Sequence, residues 1–480
     1  MALRQSRYAD AEAFYQQALA LYRQIGNRLG EANCVQRMGD VALNLARYPE
    51  AERLYQRALP IYRQIGDRLG EANCLRCLGG VAFGQDHDGE ANDCYRQALH
   101  VYRQFGDRLG EANCAASLGE VALKQARLAD GVDLYRQAMH IYRQIGQQLG
   151  EANCIKGLGE AARFQSRYEE AAKLYRQALP IYRQIGDREG EASSVQCLGD
   201  VAAAQARYTE ASDLYEQALP VYRQVGYRLG EANCLGSLGE VARMQSRYAE
   251  AETLYQQALP VFRQIGQRMG EANCLLGMGN VTLQQTHYVQ ARTLYRQALS
   301  TYREIGARLG EATCVKRLGD LALRQDFCAE ALGSYHEALL IYSQIGDQLG
   351  EANCIRSLGD VALAQARHAD AGKLYGQALA IYRELGARLG EANCVQRVGD
   401  VARIQERYAD AVALYQQALP IYRQIGDRFG EAGCLLSTAR LAAVQHNPDL
   451  ACEASEMAAE IYSTIGLSAQ AQQVRDEFTP

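Results

Sequence analysis

Residues 229–266 read LGEANCLGSLGEVARMQSRYAEAETLYQQALPVFRQIG, and this stretch decides the fold. Its first half, here named helix A, places small or apolar residues at a helical spacing, at Ala232, Cys234, Leu235, Leu238, Gly239, Val241 and Ala242. Its second half, here named helix B, has an inward set spaced by three and four, at Tyr248, Ala251, Tyr255, Ala258, Leu259, Phe262 and Ile265. The stretch therefore predicts two helices joined by a short turn.

The same pattern recurs every 40 residues. The chain has 480 residues, and the triplet Gly-Glu-Ala begins at residues 30, 70, 110, 150, 190, 230, 270, 310, 350, 390 and 430 without insertion or deletion. A fixed period of this size indicates a solenoid, in which each repeat packs on its neighbours. We therefore predict an all-α fold, an α-solenoid of antiparallel helix pairs with about twelve 40-residue repeats. It spans residues 1–480, with regular repeats in 1–440 and a divergent capping repeat in 441–480.

Glycine and aspartate mark the helix ends. A glycine ends helix B in every period, from Gly26 to Gly466, which is typical of a left-handed residue after a helix. A second glycine lies inside helix A, as at Gly239, and predicts close packing against the alanine at Ala251. Acidic residues such as Glu31 place negative charge in the first turn of helix A. The candidate N-caps of helix A are Asp67, Asp107, Asp187, Asp347 and Asp427.

Composition excludes several classes of protein. The chain has no long apolar run and no basic-then-apolar start, which argues against a membrane span or a secretory signal and predicts a cytoplasmic protein. Of 15 cysteines, ten occupy one repeat position, which indicates a small buried site and not a disulfide framework. Net charge is −5 with acids and arginines interleaved, so no basic surface for nucleic acid is expected.

The repeat resembles a known family. Leu238-Gly239, Ala251, Tyr255 and Ala258 match the Leu-Gly, Ala-x-x-x-aromatic and Ala signature of tetratricopeptide repeats. HEAT and armadillo repeats have a similar length but lack this arrangement. The resemblance implies a right-handed superhelix whose concave groove is lined by helix A. The 40-residue unit with its LGEA punctuation is most similar to cell-polarity scaffold repeats and to the sensor arrays of signal-transduction NTPases.

Catalytic motifs are absent from the sequence. It contains no G-x-x-x-x-G-K-[ST] loop, no H-E-x-x-H and no G-x-S-x-G. Cys74 and Cys77, followed by the run 86–88, are a weak metal signal, because Cys74 belongs to the packing series. We therefore predict a protein that is not an enzyme and that uses neither a cofactor nor a metal.

A polar stripe on helix A is the candidate binding surface. Its positions are spaced by three, four, seven and eleven, so they share the face opposite the apolar stripe. Asparagine recurs there at Asn33, Asn73, Asn113, Asn153, Asn233, Asn273, Asn353 and Asn393. Carboxylates follow two turns on, at Asp40, Glu120, Glu160, Asp200, Glu240, Asp320, Asp360 and Asp400. Basic residues between the two rows include Arg317, Arg356 and Arg397.

These side chains suit a peptide partner. An amide offers both a donor and an acceptor to the backbone of an extended peptide, and a row of carboxylates favours basic residues on the partner. An alternative is structural: the asparagines bond to the backbone of the neighbouring repeat, and the carboxylates pair with arginines.

The leading hypothesis is a scaffold that binds a protein or peptide and neither nucleic acid nor membrane. One alternative is a ligand-sensing segment of a larger signalling NTPase, and another is a self-associating array. The first repeat has no cap, so a contact between copies through that repeat is also predicted.

Overall fold

The computed structural model of the protein describes residues 2–45, 47–85, 87–464 and 468–478. These residues form 24 α-helices, and no strand occurs among them. The chain divides into two compact units, residues 1–267 and 268–480. The first holds α1 (Ala2–Gln24), α2 (Arg28–Asn44), α3 (Tyr48–Ile65), α4 (Arg68–Gly84), α5 (Asp88–Phe105), α6 (Arg108–Lys124), α7 (Leu128–Gln144), α8 (Gln148–Phe164), α9 (Tyr168–Ile185), α10 (Arg188–Ala204), α11 (Tyr208–Val225), α12 (Arg228–Met244) and α13 (Tyr248–Gln264).

The second unit continues the same alternation of helices. It holds α14 (Arg268–Gln284), α15 (Tyr288–Glu304), α16 (Arg308–Arg324), α17 (Cys328–Ile345), α18 (Gln348–Ala364), α19 (His368–Glu384), α20 (Arg388–Ile404), α21 (Tyr408–Ile425), α22 (Arg428–Val444), α23 (Pro448–Thr464) and α24 (Ser468–Phe478). The predicted helix class and pairing are confirmed, while the right-handed winding and the division at residue 440 stay predictions.

The helix ends follow the predicted punctuation. Eleven glycines, from Gly26 to Gly426, have a φ between +65° and +74°, and Gly466 lies outside the described residues. The Asp67 carboxylate accepts a hydrogen bond from the Gly70 N–H at 2.9 Å, and the other four predicted aspartates cap helix A in the same way. Sequence and local geometry therefore agree at both ends of the turn from B to A.

The turn from A to B also uses a left-handed residue, and here it is not glycine. Ala126, Ser166, Ala206, Ser246, Thr286, Asp326, Ala366, Glu406 and His446 all have a φ between +55° and +62°. In the third repeat the N–H of Arg127 then donates to the carbonyl of Ala122 at 2.8 Å, which closes the end of α6. No glycine marks this turn, so the sequence analysis did not find it.

Helix A forms the inner row of each unit. Within each unit every helix packs on the next, and in the first unit α2, α4, α6, α8, α10 and α12 also contact one another in sequence. No comparable contact joins successive B helices among the described residues. Because the A helices lie closer together than the B helices, the A side of a unit is its concave side.

The tyrosines of helix B are the largest side chains in the core, and glycines of helix A make room for them. Tyr55 and Tyr62 are almost fully buried, and the tyrosines at the same two positions of the later repeats, from Tyr95 to Tyr462, are buried as well. A Cβ on Gly39 would lie 2.6 Å from the Tyr55 ring, and a Cβ on Gly70 would lie 2.3 Å from the Tyr62 ring. The atoms nearest to the second glycine are those of the tyrosine ring, so the tyrosine is the partner that the sequence analysis did not name, and contact with the alanine of helix B stays a prediction.

The glutamate of the Gly-Glu-Ala triplet is buried between two arginines. Glu391 accepts from Nε of Arg383 at 3.1 Å and pairs with Nη1 of Arg388. The same triad recurs at Glu31, Glu71, Glu111, Glu191, Glu231, Glu311 and Glu431. The sequence analysis assigned this glutamate to the helix dipole alone, so its ion pairs are a further function of the position.

The C-terminal helix covers the end of the second unit. Ala471 and Val474 of α24 are buried against Leu435 and Ile461, and Arg440 pairs with Glu477 at 2.7 Å. Of the helices in the described part of the chain, none is long and apolar enough to cross a lipid bilayer.

Candidate binding surface

The asparagine row is held by tyrosines of helix B in the same repeat. The Tyr142 hydroxyl donates to Oδ1 of Asn113 at 2.7 Å, and Tyr182 donates to Oδ1 of Asn153 at 2.7 Å. The same bond, with the tyrosine 29 residues after the asparagine, occurs at Asn33, Asn73, Asn273, Asn353 and Asn393. The partner is thus a side chain and not the neighbouring backbone named in the structural alternative.

These bonds orient the amide groups. Because Oδ1 accepts from a phenol, Nδ2 is the amide atom left for other contacts, and among the described residues it donates no hydrogen bond. Asn233 differs from the others because residue 262, where its tyrosine would be, is Phe262. Seven of the eight predicted asparagines therefore share one orientation that their sequence alone does not reveal.

The carboxylate row is held by tyrosines of its own repeat. The Tyr175 hydroxyl donates to Oε1 of Glu160 at 2.7 Å, with the tyrosine 15 residues after the glutamate. Asp40, Asp200, Glu240, Asp320, Asp360 and Asp400 accept equivalent bonds at 2.8–2.9 Å. Glu120 is the predicted carboxylate for which no such bond occurs among the described residues.

Arginines and lysines pair with several of these carboxylates. Arg317 lies 3.2 Å from Asp320, and Arg356 lies 3.1 Å from Asp360. Arg397 lies 3.5 Å from both Asp360 and Asp400, so it links adjacent repeats. The basic residues predicted as ligand contacts are therefore members of an internal ion-pair network.

Glu120 and Glu160, one repeat apart, titrate differently. Burial raises the pKa of Glu120, although Lys156 and Lys124 act in the opposite direction. Burial also raises the pKa of Glu160, but Arg163 and the hydrogen bonds from Tyr175 and Cys197 outweigh it and hold that pKa below the usual range. Glu160 is therefore the carboxylate that internal contacts stabilise in its charged form.

A pocket of about 780 Å³ opens on the concave side of the first unit. It is formed mainly by α4, α6, α8 and α10, the A helices of four consecutive repeats, together with Tyr135 and Tyr142 of α7. Its lining combines amides, charged groups and apolar surface, and includes Asn113, Asn153, Glu120, Glu160, Arg76, Lys156, Ala116, Ser117, Phe83 and Phe164. Of the predicted site residues, the pocket brings together Asn113, Asn153, Glu120 and Glu160.

The sequence analysis missed the role of the tyrosine hydroxyls at this pocket. It assigned the tyrosines to packing alone, whereas their hydroxyls bind the two polar rows. The repeat pattern contains no signal for this bond, because Asn233 persists opposite Phe262 and Tyr222 persists opposite Ser193. For the weak metal signal, Cys74 and Cys77 are buried in α4 and residue 86 lies outside the described residues.

Family models identify the repeats. A tetratricopeptide repeat model matches residues 1–64, 31–104, 111–184, 191–264, 239–304 and 311–384, and a second tetratricopeptide repeat model matches residues 392–425. A search of the curated proteins finds no match to the chain.

Solved structures share the fold at low sequence identity. The apo form of the quorum sensor NprR from B. thuringiensis has a TM-score of 0.53 and 14% identity, and the match covers 75% of this chain and 99% of that one. A signal transduction ATPase with a tetratricopeptide repeat sensor, from Pyrococcus horikoshii, has a TM-score of 0.51 and 13% identity. That match covers 69% of this chain and only 53% of the ATPase.

Proposed function

This chain belongs to the tetratricopeptide repeat family, and from that premise we propose that it is a protein-interaction scaffold without catalytic activity. Its ligand is an extended peptide or the tail of a partner protein, bound in the pocket between α4, α6, α8 and α10. The observation that carries the proposal is the convergence of four A helices on one pocket that contains two of the predicted asparagines. Concave sites with apolar walls and a few placed polar groups are typical of ligand binding.

The lining matches the needs of an extended peptide. Phe83 and Phe164 supply apolar surface, and Phe164 is half exposed. Asn113 and Asn153 lie one repeat apart, so their amides reach successive parts of a peptide backbone. The sequence also predicted basic residues in the partner, and in this pocket that prediction rests on Glu120, because Glu160 is already paired with Arg163 at 2.7 Å.

The alternative functions use the same surfaces. A sensor segment of a larger signalling protein would bind its ligand in this pocket, so the experiment below applies to it as well. A contact between copies would bury the apolar residues of α1, where Phe14 is 68% exposed and Leu21 is 61% exposed.

Filling the pocket tests the proposal. Ala116 is half-buried in the lining, and Ala116→Trp is expected to weaken binding of peptides selected from a random library on the full chain by at least about tenfold, since the indole occupies the ligand's volume. Affinity is measured by fluorescence anisotropy, and helix content and melting are compared by circular dichroism.

Gly236→Trp is the matched control. Gly236 occupies the same repeat position in α12 and lies outside the lining of the pocket, and a Cβ added to it would have no atom within 4 Å. It is expected to leave binding unchanged. Equal affinity of the Ala116→Trp variant and the native chain would refute the pocket as the binding site.

A further inference from the structure

The acceptors of the pocket are largely used by the protein itself. Glu160 accepts from the Tyr175 hydroxyl at 2.7 Å, from Nη2 of Arg163 at 2.7 Å and from Sγ of Cys197 at 3.2 Å. Oδ1 of Asn113 and of Asn153 each accept from a buried tyrosine. Of the polar groups described above, Glu120 is the acceptor that keeps its capacity for a ligand.

The amide donors of the pocket, by contrast, have no hydrogen-bond acceptor within the described part of the protein. Nδ2 of Asn113 and of Asn153 carries two N–H groups each, and neither atom has an acceptor among the described residues. The orientation of these amides is set by Tyr142 and Tyr182, since a phenol hydrogen bonded to Oδ1 fixes which end of the amide faces the groove. The tyrosines thereby occupy the acceptor of each amide, so that the asparagine row offers a ligand hydrogen-bond donors only.

Two cations in the lining, Arg76 and Lys156, also form no ion pair among the described residues, although the charge of Lys156 acts on Glu120 over a longer distance. Nζ of Lys156 lies 3.1 Å from the Ser193 hydroxyl, and Nη2 of Arg76 lies 3.9 Å from Sγ of Cys77. No carboxylate oxygen of the described residues is within 4.0 Å of either charge. By contrast, Lys124, which also lines the pocket, is paired with Asp88 at 2.9 Å. A partly buried cation without a counter-ion is a site where an arriving carboxylate gains most.

From this imbalance we infer that the pocket takes an acidic peptide segment. Side-chain carboxylates of the segment bind Arg76 and Lys156, its backbone carbonyls accept from Asn113 and Asn153, and Tyr142 and Tyr182 are positioning residues for those amides. The inference rests on the proposed function and specifies its ligand. It also contradicts the expectation of a basic partner, which was drawn from the carboxylate row. The two expectations predict opposite orders of affinity for an acidic and a basic peptide.

The test compares two labelled peptides with the full chain at low ionic strength. Both are twelve residues long, blocked at both ends and share the same apolar residues, and one carries glutamate where the other carries lysine. The acidic peptide is expected to bind at least about tenfold more tightly, and its affinity is expected to fall as salt rises. A third peptide, acidic only through a free C-terminal carboxylate, separates side-chain from terminal recognition and is expected to bind no better than its blocked form.

Variants then locate the charges. Arg76→Gln and Lys156→Gln are each expected to weaken the acidic peptide about fivefold or more, because a charge-assisted bond is lost. Lys173→Gln on the exposed face of α9 is the control and is expected to have no effect.

A second pair of variants tests the positioning role. Tyr142→Phe removes the bond to Asn113 and is expected to weaken the acidic peptide about threefold. Tyr342→Phe removes the equivalent hydroxyl in the second unit, where it contacts Thr313 at 3.2 Å and no asparagine, and is expected to leave affinity unchanged. A merely structural role would change melting in both variants and affinity in neither.

The outcomes separate the two proposals. Tighter binding of the basic peptide would overturn the acidic ligand and leave the pocket as the binding site. The same conclusion would follow if Ala116→Trp weakened binding of the acidic peptide while Arg76→Gln and Lys156→Gln did not. Binding that Ala116→Trp does not affect, or no binding of either peptide, would overturn both proposals.

Discussion

Replacing Gly350 with alanine is expected to lower the free energy of unfolding of the second unit by about 2 kcal/mol or more. An added Cβ would lie 2.2 Å from Cδ1 of Tyr342, a distance that no ordinary contact reaches. Tyr342 is buried between helices, so its ring cannot move aside without displacing neighbouring side chains. Urea denaturation followed by circular dichroism measures the change, since the chain contains no tryptophan.

Gly376→Ala is the matched control for this prediction. Gly376 lies inside α19 of the same unit, and a Cβ there has no atom within 4 Å. Alanine at this exposed helix position is expected to raise the free energy of unfolding by about 1 kcal/mol, because glycine is the poorer helix former. If the two substitutions changed stability equally, close packing of helix A on the tyrosine rings would not be what places glycine at residue 350.

Glu391→Gln is expected to lower the free energy of unfolding by about 2 kcal/mol. The substitution keeps the size of the side chain and removes the charge that pairs with Arg383 and Arg388. Glu391 is buried, whereas both arginines are about half exposed, so water compensates them in part. The expected loss is therefore below that of a fully buried ion pair.

The chain contains its own control for the triad. Glu351 occupies the equivalent position, but residues 343 and 348 are Ser343 and Gln348, and among the described residues Glu351 forms no ion pair. Glu351→Gln is expected to change stability by less than about 0.5 kcal/mol. Equal losses in the two variants would show that the glutamate acts through the helix dipole and not through its arginines.

The fold could be predicted because each of its determinants is local and repeated. Glycine after helix B, aspartate at the start of helix A and the three-and-four spacing of apolar residues each act within one turn or one helix. Gly66 and Asp67 illustrate this, since one adopts a left-handed conformation and the other caps the next helix as their sequence predicts. Because these weak local signals recur every 40 residues, together they identify the repeat and its boundaries.

Side-chain contacts between helices could be predicted less well. Asn113 and Tyr142 are 29 residues apart, and Glu160 and Tyr175 are 15 apart, so their bonds depend on how helices pack and not on any one helix. The polar stripe of helix A was predicted and does contribute to the pocket. The sequence did not predict that tyrosines already occupy most of the acceptors of this stripe. Which groups remain unoccupied decides which ligand the pocket favours.

Locating a bound peptide on the chain tests the central claim most directly. A selected peptide carrying a photoreactive benzoylphenylalanine at its centre is irradiated with the full chain, and the attachment points are mapped by mass spectrometry. We predict attachment within α4, α6, α8 and α10, at pocket residues such as Ser117 and Phe164. Attachment confined to the outer faces of α5, α7 and α9, or to the second unit, would contradict the account.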